Sequence, residues 1–292
     1  MSSAKYDVAF VGAAVDDRGA HCALMATKAA SKTLSVSYVP SEYRINIDEK
    51  SWRANEVENI ALEFPARNIL FDATTLDFPD ILLLVRGYLL RGSPVRFYFL
   101  YAEPYAYNGV SGSKTRHEFQ LSDSYASDYY PIPGFISLQT NPNSIGRVTV
   151  FVGFEGARLS NLIADSEPEV LKRFNIVFGI PPFKTDWETH SLMENASVLL
   201  GQQVEEILYA GANNPYSCYE VLMMLYRNRD CSSTFEVAPL GTKPAAIAAA
   251  LFAAEHRGVS VRYDYPRRSV GRSSGVGKVH LFSAWCDSAV VD

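Results

Sequence analysis

Short apolar runs of strand length alternate with helix-compatible segments along most of this 292-residue chain. Strand-like runs occupy residues 8–14 (VAFVGAA), 33–39 (TLSVSYV) and 95–101 (VRFYFLY), and residues 78–90 (FPDILLLVRGYLL) have the pattern of a buried helix. This alternation is typical of parallel strands that are joined by crossover helices. We therefore predict an α/β fold with predominantly parallel sheets, crossover helices and a Rossmann-like arrangement.

The alternation stops over residues 103–144, which are rich in Tyr, Ser, Gly, Asp and Pro, and it resumes at residue 147. We interpret the interruption as an irregular connector, because a structureless loop of that length is uncommon within a compact domain. Further strands are predicted at residues 147–153, 174–179, 234–238 and 259–263. Further helices are predicted at residues 52–61, 157–164, 168–173, 185–200, 217–229 and 244–256. The pattern predicts two similar halves, residues 1–142 and 143–292, and it equally allows one continuous sheet.

Composition sets broad limits on the class of protein. Apolar residues make up 48% and charged residues 20% of the chain, which is ordinary for a globular protein. No apolar run reaches the length of a membrane span, and the first ten residues lack the features of a signal peptide. The spacing of the four cysteines fits neither a zinc site nor a disulfide framework. These cysteines are Cys22, Cys218, Cys231 and Cys286. We therefore expect reduced thiols in a cytoplasmic protein that does not contact membranes.

The most informative segment is residues 238–244 (APLGTKP), where a predicted strand leads directly into a predicted helix. Gly241 permits a tight turn, and the free N–H groups at the start of the following helix attract an anion. Thr242 adds a hydroxyl and Lys243 a positive charge. This combination predicts a phosphate-binding turn, although the spacing is not that of a Walker A loop. The alternative is an ordinary strand–helix turn with a surface lysine.

A basic segment follows this turn, with six Lys or Arg residues and one acid over residues 257–278. The local net charge of +5 contrasts with −5 for the whole chain. Arginine can hold phosphate through two hydrogen bonds and stack on bases, so we assign Arg267 and Arg268 to ligand binding. The alternatives are a solvated basic tail, a nucleic-acid contact, or an interface with a partner protein or a second copy of the chain.

Other polar side chains follow strands elsewhere in the sequence. In residues 153–158 (GFEGAR), Gly153 allows a ligand to approach the backbone, while Glu155 and Arg158 are candidates for ribose and phosphate contacts or pair with each other. Asp72, Glu103 and Glu155 are the candidate acid–base residues if the protein is an enzyme. The five histidines are scattered and match no metal motif, and no pattern specifies a cofactor.

The segment APLGTKP and the Ala-rich helix after it resemble the sensor domains of the CARF and SAVED type. That resemblance covers mainly residues 235–263. It implies a Rossmann-like fold that recognises a cyclic oligonucleotide second messenger in bacterial antiviral defence. It also implies that Gly241, Thr242 and Lys243 touch the ligand and that residues 12–15 face it.

Three functions follow from these patterns. The first is a sensor or accessory protein that binds an anionic nucleotide-like ligand or a cyclic oligonucleotide. The second is an enzyme that acts on a nucleotide-like substrate, such as a hydrolase or an enzyme that cleaves a glycosyl bond. The third is a non-catalytic assembly component that contacts nucleic acid or a partner protein. Fold class alone does not choose among them.

Overall fold

The computed structural model describes residues 4–108, 121–124, 130–136, 145–165, 172–201, 203–230 and 233–286. In chain order, its first elements are β1 (Tyr6–Val11), α1 (Asp17–Ala29), β2 (Ala30–Val39), β3 (Arg44–Ile47), β4 (Lys50–Arg53), α2 (Glu58–Glu63), β5 (Asn68–Asp72), α3 (Phe78–Leu90), β6 (Val95–Tyr107) and β7 (Ser122–Ser124). The remaining elements are β8 (Gly146–Phe151), α4 (Gly156–Ala164), β9 (Lys172–Gly179), α5 (Trp187–Leu199), β10 (Val204–Ala210), α6 (Pro215–Arg227), β11 (Phe235–Pro239), α7 (Lys243–Glu255), β12 (Val259–Val261), β13 (Arg267–Arg268) and β14 (Ser273–Cys286).

The first sheet is mixed and has the strand order β14-β6-β5-β1-β2-β3-β4. Its centre, from β6 to β2, is parallel, as the βαβ pattern predicts. Antiparallel strands flank this centre, because β2, β3 and β4 form a meander at one end and β14 pairs with β6 at the other. β14 belongs to the segment after residue 143, so the chain returns to the first sheet at its end.

The second sheet contains five parallel strands in the order β10-β9-β8-β11-β12. Its inner strands β8, β9 and β11 are mostly buried because helices cover both faces, whereas the edge strand β10 is largely exposed. Side chains of α4 and α5 pack on one face, and those of α6 and α7 pack on the other. A third, two-stranded sheet pairs β7 with β13.

The two sheets share one hydrophobic core, which is centred on the contact between α3 and α7. Both helices are apolar almost all round, and in α7 the eleven residues from Pro244 to Ala254 are all buried. A helix that is hydrophobic on every side has to be enclosed by other elements, which fixes α3 and α7 between the sheets. Pro79 and Pro244 lie in the first turns of these helices, where the missing N–H removes no helical hydrogen bond.

The helix at 78–90 is confirmed, and the other predicted elements agree with the structure to within a few residues, with several exceptions. Residues 50–53 form a strand of the β3–β4 hairpin, so the helix predicted from 52 is limited to α2. β10 and β14 were not predicted, and β14 begins within the last six residues of the basic segment. The helix predicted at 168–173 falls largely outside the described residues, and its last two positions begin β9.

Within the described part of the chain, no helix has both the length and the apolar character needed to cross a bilayer. Cys22 and Cys218 are buried free thiols and Cys286 is a partly buried one. Cys231 lies outside the described residues.

Candidate functional site

An open cleft lies between the two sheets at the carboxyl ends of strands from both of them. It encloses about 1150 Å³ that protein atoms do not fill, including its open mouth. In each sheet there is one pair of neighbouring parallel strands from which the following connections lead to opposite sides of the sheet. This pair is β1 and β5 in the first sheet and β8 and β11 in the second. Ligands of open α/β sheets bind in the crevice at such a position, so this cleft is the candidate site.

The turn between β11 and α7 lines the cleft through Gly241, Thr242 and Lys243. A side chain at Gly241 would place Cβ 2.6 Å from the carbonyl oxygen of Val152, so glycine is required by the packing of two strand ends. Thr242 Oγ1 donates to the carbonyl oxygen of Ala212 at 3.0 Å. Since this hydroxyl does not cap α7, the positive end of the helix dipole has no side-chain partner there.

Lys243, Arg268 and Arg272 form a cationic group on the lining of the cleft. Lys243 Nζ and Arg268 Nη2 donate to the same carbonyl oxygen, that of Leu76, which brings their charges close together. Burial, together with the charges of Arg268 and Arg272, lowers the pKa of Lys243 well below its usual value, although Asp77 opposes this shift. The protein therefore accumulates positive charge here at an electrostatic cost.

Arg268 clamps the loop between β5 and α3 to the segment after β12. Its guanidinium group donates to three carbonyl oxygens of that loop at 2.7 to 3.1 Å and pairs with Asp77. Its neighbour Arg267 is exposed and does not line the cleft. Of the two arginines assigned to ligand binding, the structure therefore brings Arg268 to the cleft and leaves Arg267 on the surface.

Arg272 differs from the other arginines of the cleft. Arg18 also lines it, but Arg18 pairs with Asp16 at 2.7 Å. No hydrogen bond or ion pair engages the guanidinium group of Arg272 within the described residues, and its Nε is buried without a partner. Burial and the charges of Arg268 and Arg18 lower its pKa. Arg272 is thus a partly buried cation among other cations.

Glu155 and Arg158 line the cleft but are engaged by protein groups. The carboxylate of Glu155 accepts from the backbone N–H of Leu121 at 3.0 Å and from Ser122 Oγ at 3.2 Å, so it holds the strand β7 over the cleft. Arg158 makes a two-point ion pair with Asp264 at 2.7 and 2.5 Å. Glu155 and Arg158 are also near each other at 4.0 Å.

The other two candidate acid–base residues do not line the cleft. Asp72 is fully buried at the end of β5, and its carboxylate accepts from the backbone N–H groups of Thr74 and Thr75 and from Thr75 Oγ1. Burial raises the pKa of Asp72 to about 6. Glu103 lies on β6, and its carboxylate oxygen Oε1 contacts His280 Nε2 at 2.6 Å. Both carboxylates have structural partners.

Gly153 lines the cleft at the end of β8. Its carbonyl oxygen accepts from Ser191 Oγ and Asn195 Nδ2, both at 3.0 Å, which ties this loop to α5. Residues 12–15 are not part of the lining. Gly12 instead packs on Thr75, where an added Cβ would lie 2.5 Å from the carbonyl oxygen.

Three aromatic side chains, Tyr107, Phe154 and Trp187, form an aromatic wall of the cleft. Their ring centroids lie 5.1 to 5.7 Å apart, in tilted or edge-to-face pairs. Sequence analysis missed this wall because its members come from β6, the loop after β8 and the start of α5. It also did not separate Arg272 from the other basic residues, since its lack of a partner is a property of the fold.

Among the described residues, no group of three or more His, Cys, Asp or Glu side chains converges as metal ligands. No protein-family model matches this chain, and a search of curated proteins found none that is similar to it.

Proposed function

We propose that this chain binds a small anionic, nucleotide-like ligand in the cleft and acts as a sensor or accessory protein. The observation that carries the proposal is Arg272, a partly buried cation without an acceptor among the described residues. An ion that is taken out of water is costly unless it is paired. A bound anion removes this cost, and phosphate suits the planar guanidinium group because it can accept two hydrogen bonds from it.

The surroundings of Arg272 support a phosphate rather than a single carboxylate. Lys243 and Arg268 are close to each other, and the N-terminus of α7 adds a partial positive charge without a side-chain cap. Several donors around one position fit the several oxygens of a phosphate group. Asp77 neutralises part of this charge through Arg268, which leaves Lys243 and Arg272 as the main candidates for direct contact.

Topology supports the same class of ligand. The order β10-β9-β8-β11-β12 is 3-2-1-4-5 within the second sheet, which is the order of a Rossmann-like nucleotide-binding unit. The resemblance of the β11–α7 turn to CARF and SAVED sensor domains extends the proposal to cyclic oligonucleotide messengers in antiviral defence. The identity of the bound ligand tests this extension.

The experiment compares Arg272→Met with Arg267→Met, which removes an exposed arginine outside the cleft. Thermal stability is measured at fixed salt with and without nucleoside phosphates, cyclic dinucleotides and cyclic oligoadenylates. A ligand that binds only the folded protein adds about 2.7 kcal/mol at a hundredfold excess over its dissociation constant. We expect stabilisation of the wild type and of Arg267→Met, and its loss in Arg272→Met.

A further expectation concerns the proteins without ligand. Arg272→Met should be at least as stable as the wild type, because it removes an unpaired charge and keeps the aliphatic volume. The proposal fails if no compound of the panel stabilises the wild type, or if Arg272→Met responds to ligand as the wild type does.

A further inference from the structure

The aromatic wall is open to the cleft. Tyr107, Phe154 and Trp187 are all partly exposed and all line it. Of the other aromatic side chains at the cleft, Phe78, Tyr101 and Tyr263 are buried, and Phe183 is a single partly exposed ring that packs on Tyr101 at 5.9 Å. The aromatic wall therefore offers the larger open stacking surface among the described residues that line the cleft.

The aromatic wall lies next to the cationic group. Tyr107 at the end of β6 pairs with Ser273 at the start of β14, so Arg272 precedes the partner of Tyr107. The backbone N–H of Asn108 donates to the carbonyl oxygen of Arg272 at 3.0 Å, which fixes this contact. Arg272 is thus held between the aromatic wall and the other two cations.

The opposite end of the cationic group is at α7. Arg268 and Lys243 meet at the carbonyl oxygen of Leu76, on the loop before α3. The cleft consequently has a fixed sequence of surfaces, from aromatic rings through Arg272 to Lys243. A planar apolar group suits one end of this sequence, and an anion suits the other.

We infer that the cleft binds one nucleotide unit with its base against Tyr107, Phe154 and Trp187 and its phosphate between Arg272 and Lys243. This inference rests on the proposed function and specifies its ligand as a nucleotide with a single recognised base. Base stacking on aromatic side chains tolerates different bases, and arginine next to the rings favours the adjoining phosphate. A cyclic oligonucleotide would bring further bases, for which the described lining offers only Phe183 as a partly exposed ring outside the aromatic wall.

The test measures affinities by calorimetry for four nucleoside monophosphates, ribose 5-phosphate, pyrophosphate and a cyclic dinucleotide. Trp187→Leu removes part of the aromatic wall, Trp187→Phe retains a ring, and Trp285→Leu changes a half-exposed tryptophan outside the cleft. Stacking contributes about 1–3 kcal/mol per base, which predicts a loss of about 5- to 150-fold in nucleotide affinity for Trp187→Leu. Trp187→Phe should lose less, and Trp285→Leu should match the wild type.

Ribose 5-phosphate should bind at least tenfold more weakly than the nucleotides, and Trp187→Leu should not change its affinity. Equal affinities for ribose 5-phosphate and the nucleotides, abolished by Arg272→Met, would overturn the base site and leave the anion site standing. A cyclic dinucleotide that binds at least tenfold more tightly than every monophosphate would overturn the single-base assignment. No binding by any of these compounds would count against the proposed function itself.

Discussion

The ion pair between Arg158 and Asp264 permits a stability prediction that can be worked out from the structure. Their side chains are 8% and 3% exposed, and the two hydrogen bonds between them are 2.7 and 2.5 Å long. The third donor, Arg158 Nη1, bonds to the carbonyl oxygen of Leu240 at 2.7 Å. Burial lowers the pKa of Arg158, but the charge and hydrogen bonds of Asp264 outweigh burial, and the net shift is upward.

Asp264→Asn removes the carboxylate that holds two guanidinium nitrogens of Arg158, and it leaves only Glu155, at 4.0 Å, to compensate the buried charge. Breaking one side of a buried ion pair costs about 3–5 kcal/mol, so we expect a loss of this size in the free energy of unfolding. Urea denaturation measures it, with an unchanged m-value as evidence that the unfolded state is the same. The control is Glu63→Gln, which breaks the pair between Glu63 and Lys50, whose side chains are 43% and 55% exposed. An exposed pair contributes about 0–1 kcal/mol, so this variant should be close to the wild type.

A double variant tests the cause of the loss. Replacing both partners with apolar residues, Arg158→Met with Asp264→Leu, removes the pair without stranding a charge, and it should be less destabilised than Asp264→Asn. If Asp264→Asn loses less than about 1 kcal/mol, the ion pair is not the buried, closely hydrogen-bonded element that we describe. If the double variant is the less stable one, packing rather than charge accounts for the loss.

Three further predictions address individual residues. Asp72→Asn should gain stability over the wild type by on the order of 2 kcal/mol as pH rises from about 4 to 6, because the raised pKa of Asp72 means that the folded wild type disfavours the ionised carboxyl. An equal stability difference at both ends of this range in urea titrations would contradict this prediction. Gly241→Ala should lose about 1–3 kcal/mol in the same assay because Cβ would press on the Val152 carbonyl, whereas Gly153→Ala, whose nearest contact is 3.4 Å, should lose less. Ligand affinity should fall as pH rises through the lowered pKa of Lys243, because the bound anion favours the charged form of this lysine. Calorimetry at several pH values should find a weaker pH dependence of affinity in Lys243→Met than in the wild type. The same pH dependence in both proteins would exclude Lys243 from the anion site.

Local sequence patterns were sufficient for the parallel centre of the fold. Each strand and helix there is a short segment whose own periodicity reveals it, and α3 was predicted with its observed bounds. β14 was missed because its formation depends on pairing with β6, whose paired residues lie about 165 to 190 positions earlier in the sequence. Its two glycines and its polar first residues are also consistent with a solvated basic tail, which was one of the alternatives for residues 257–278. The β3–β4 hairpin was missed because its strands are only four residues long.

The candidate site was predictable where it follows one strand and not where it combines several. Gly241, Thr242 and Lys243 adjoin in sequence, so the composition of one turn identified a position that lines the cleft. Asp72 has the same position after β5, yet its carboxylate points into hydrogen bonds with its own loop. A strand-end carboxylate in a sequence does not reveal whether the backbone beside it will supply its partners.

Two arginines on the lining of the cleft show how structural and functional charge can be distinguished within one site. Arg158 is fully paired, and its removal or that of Asp264 should lower stability. Arg272 has no acceptor among the described residues, its pKa is lowered, and its replacement by methionine should not lower stability. A charge that lowers the stability of the free protein is expected at a binding site, because function there is gained at the expense of stability. The sign of the stability change at these two positions therefore separates an arginine that stabilises the cleft from the arginine that we propose contacts an anion.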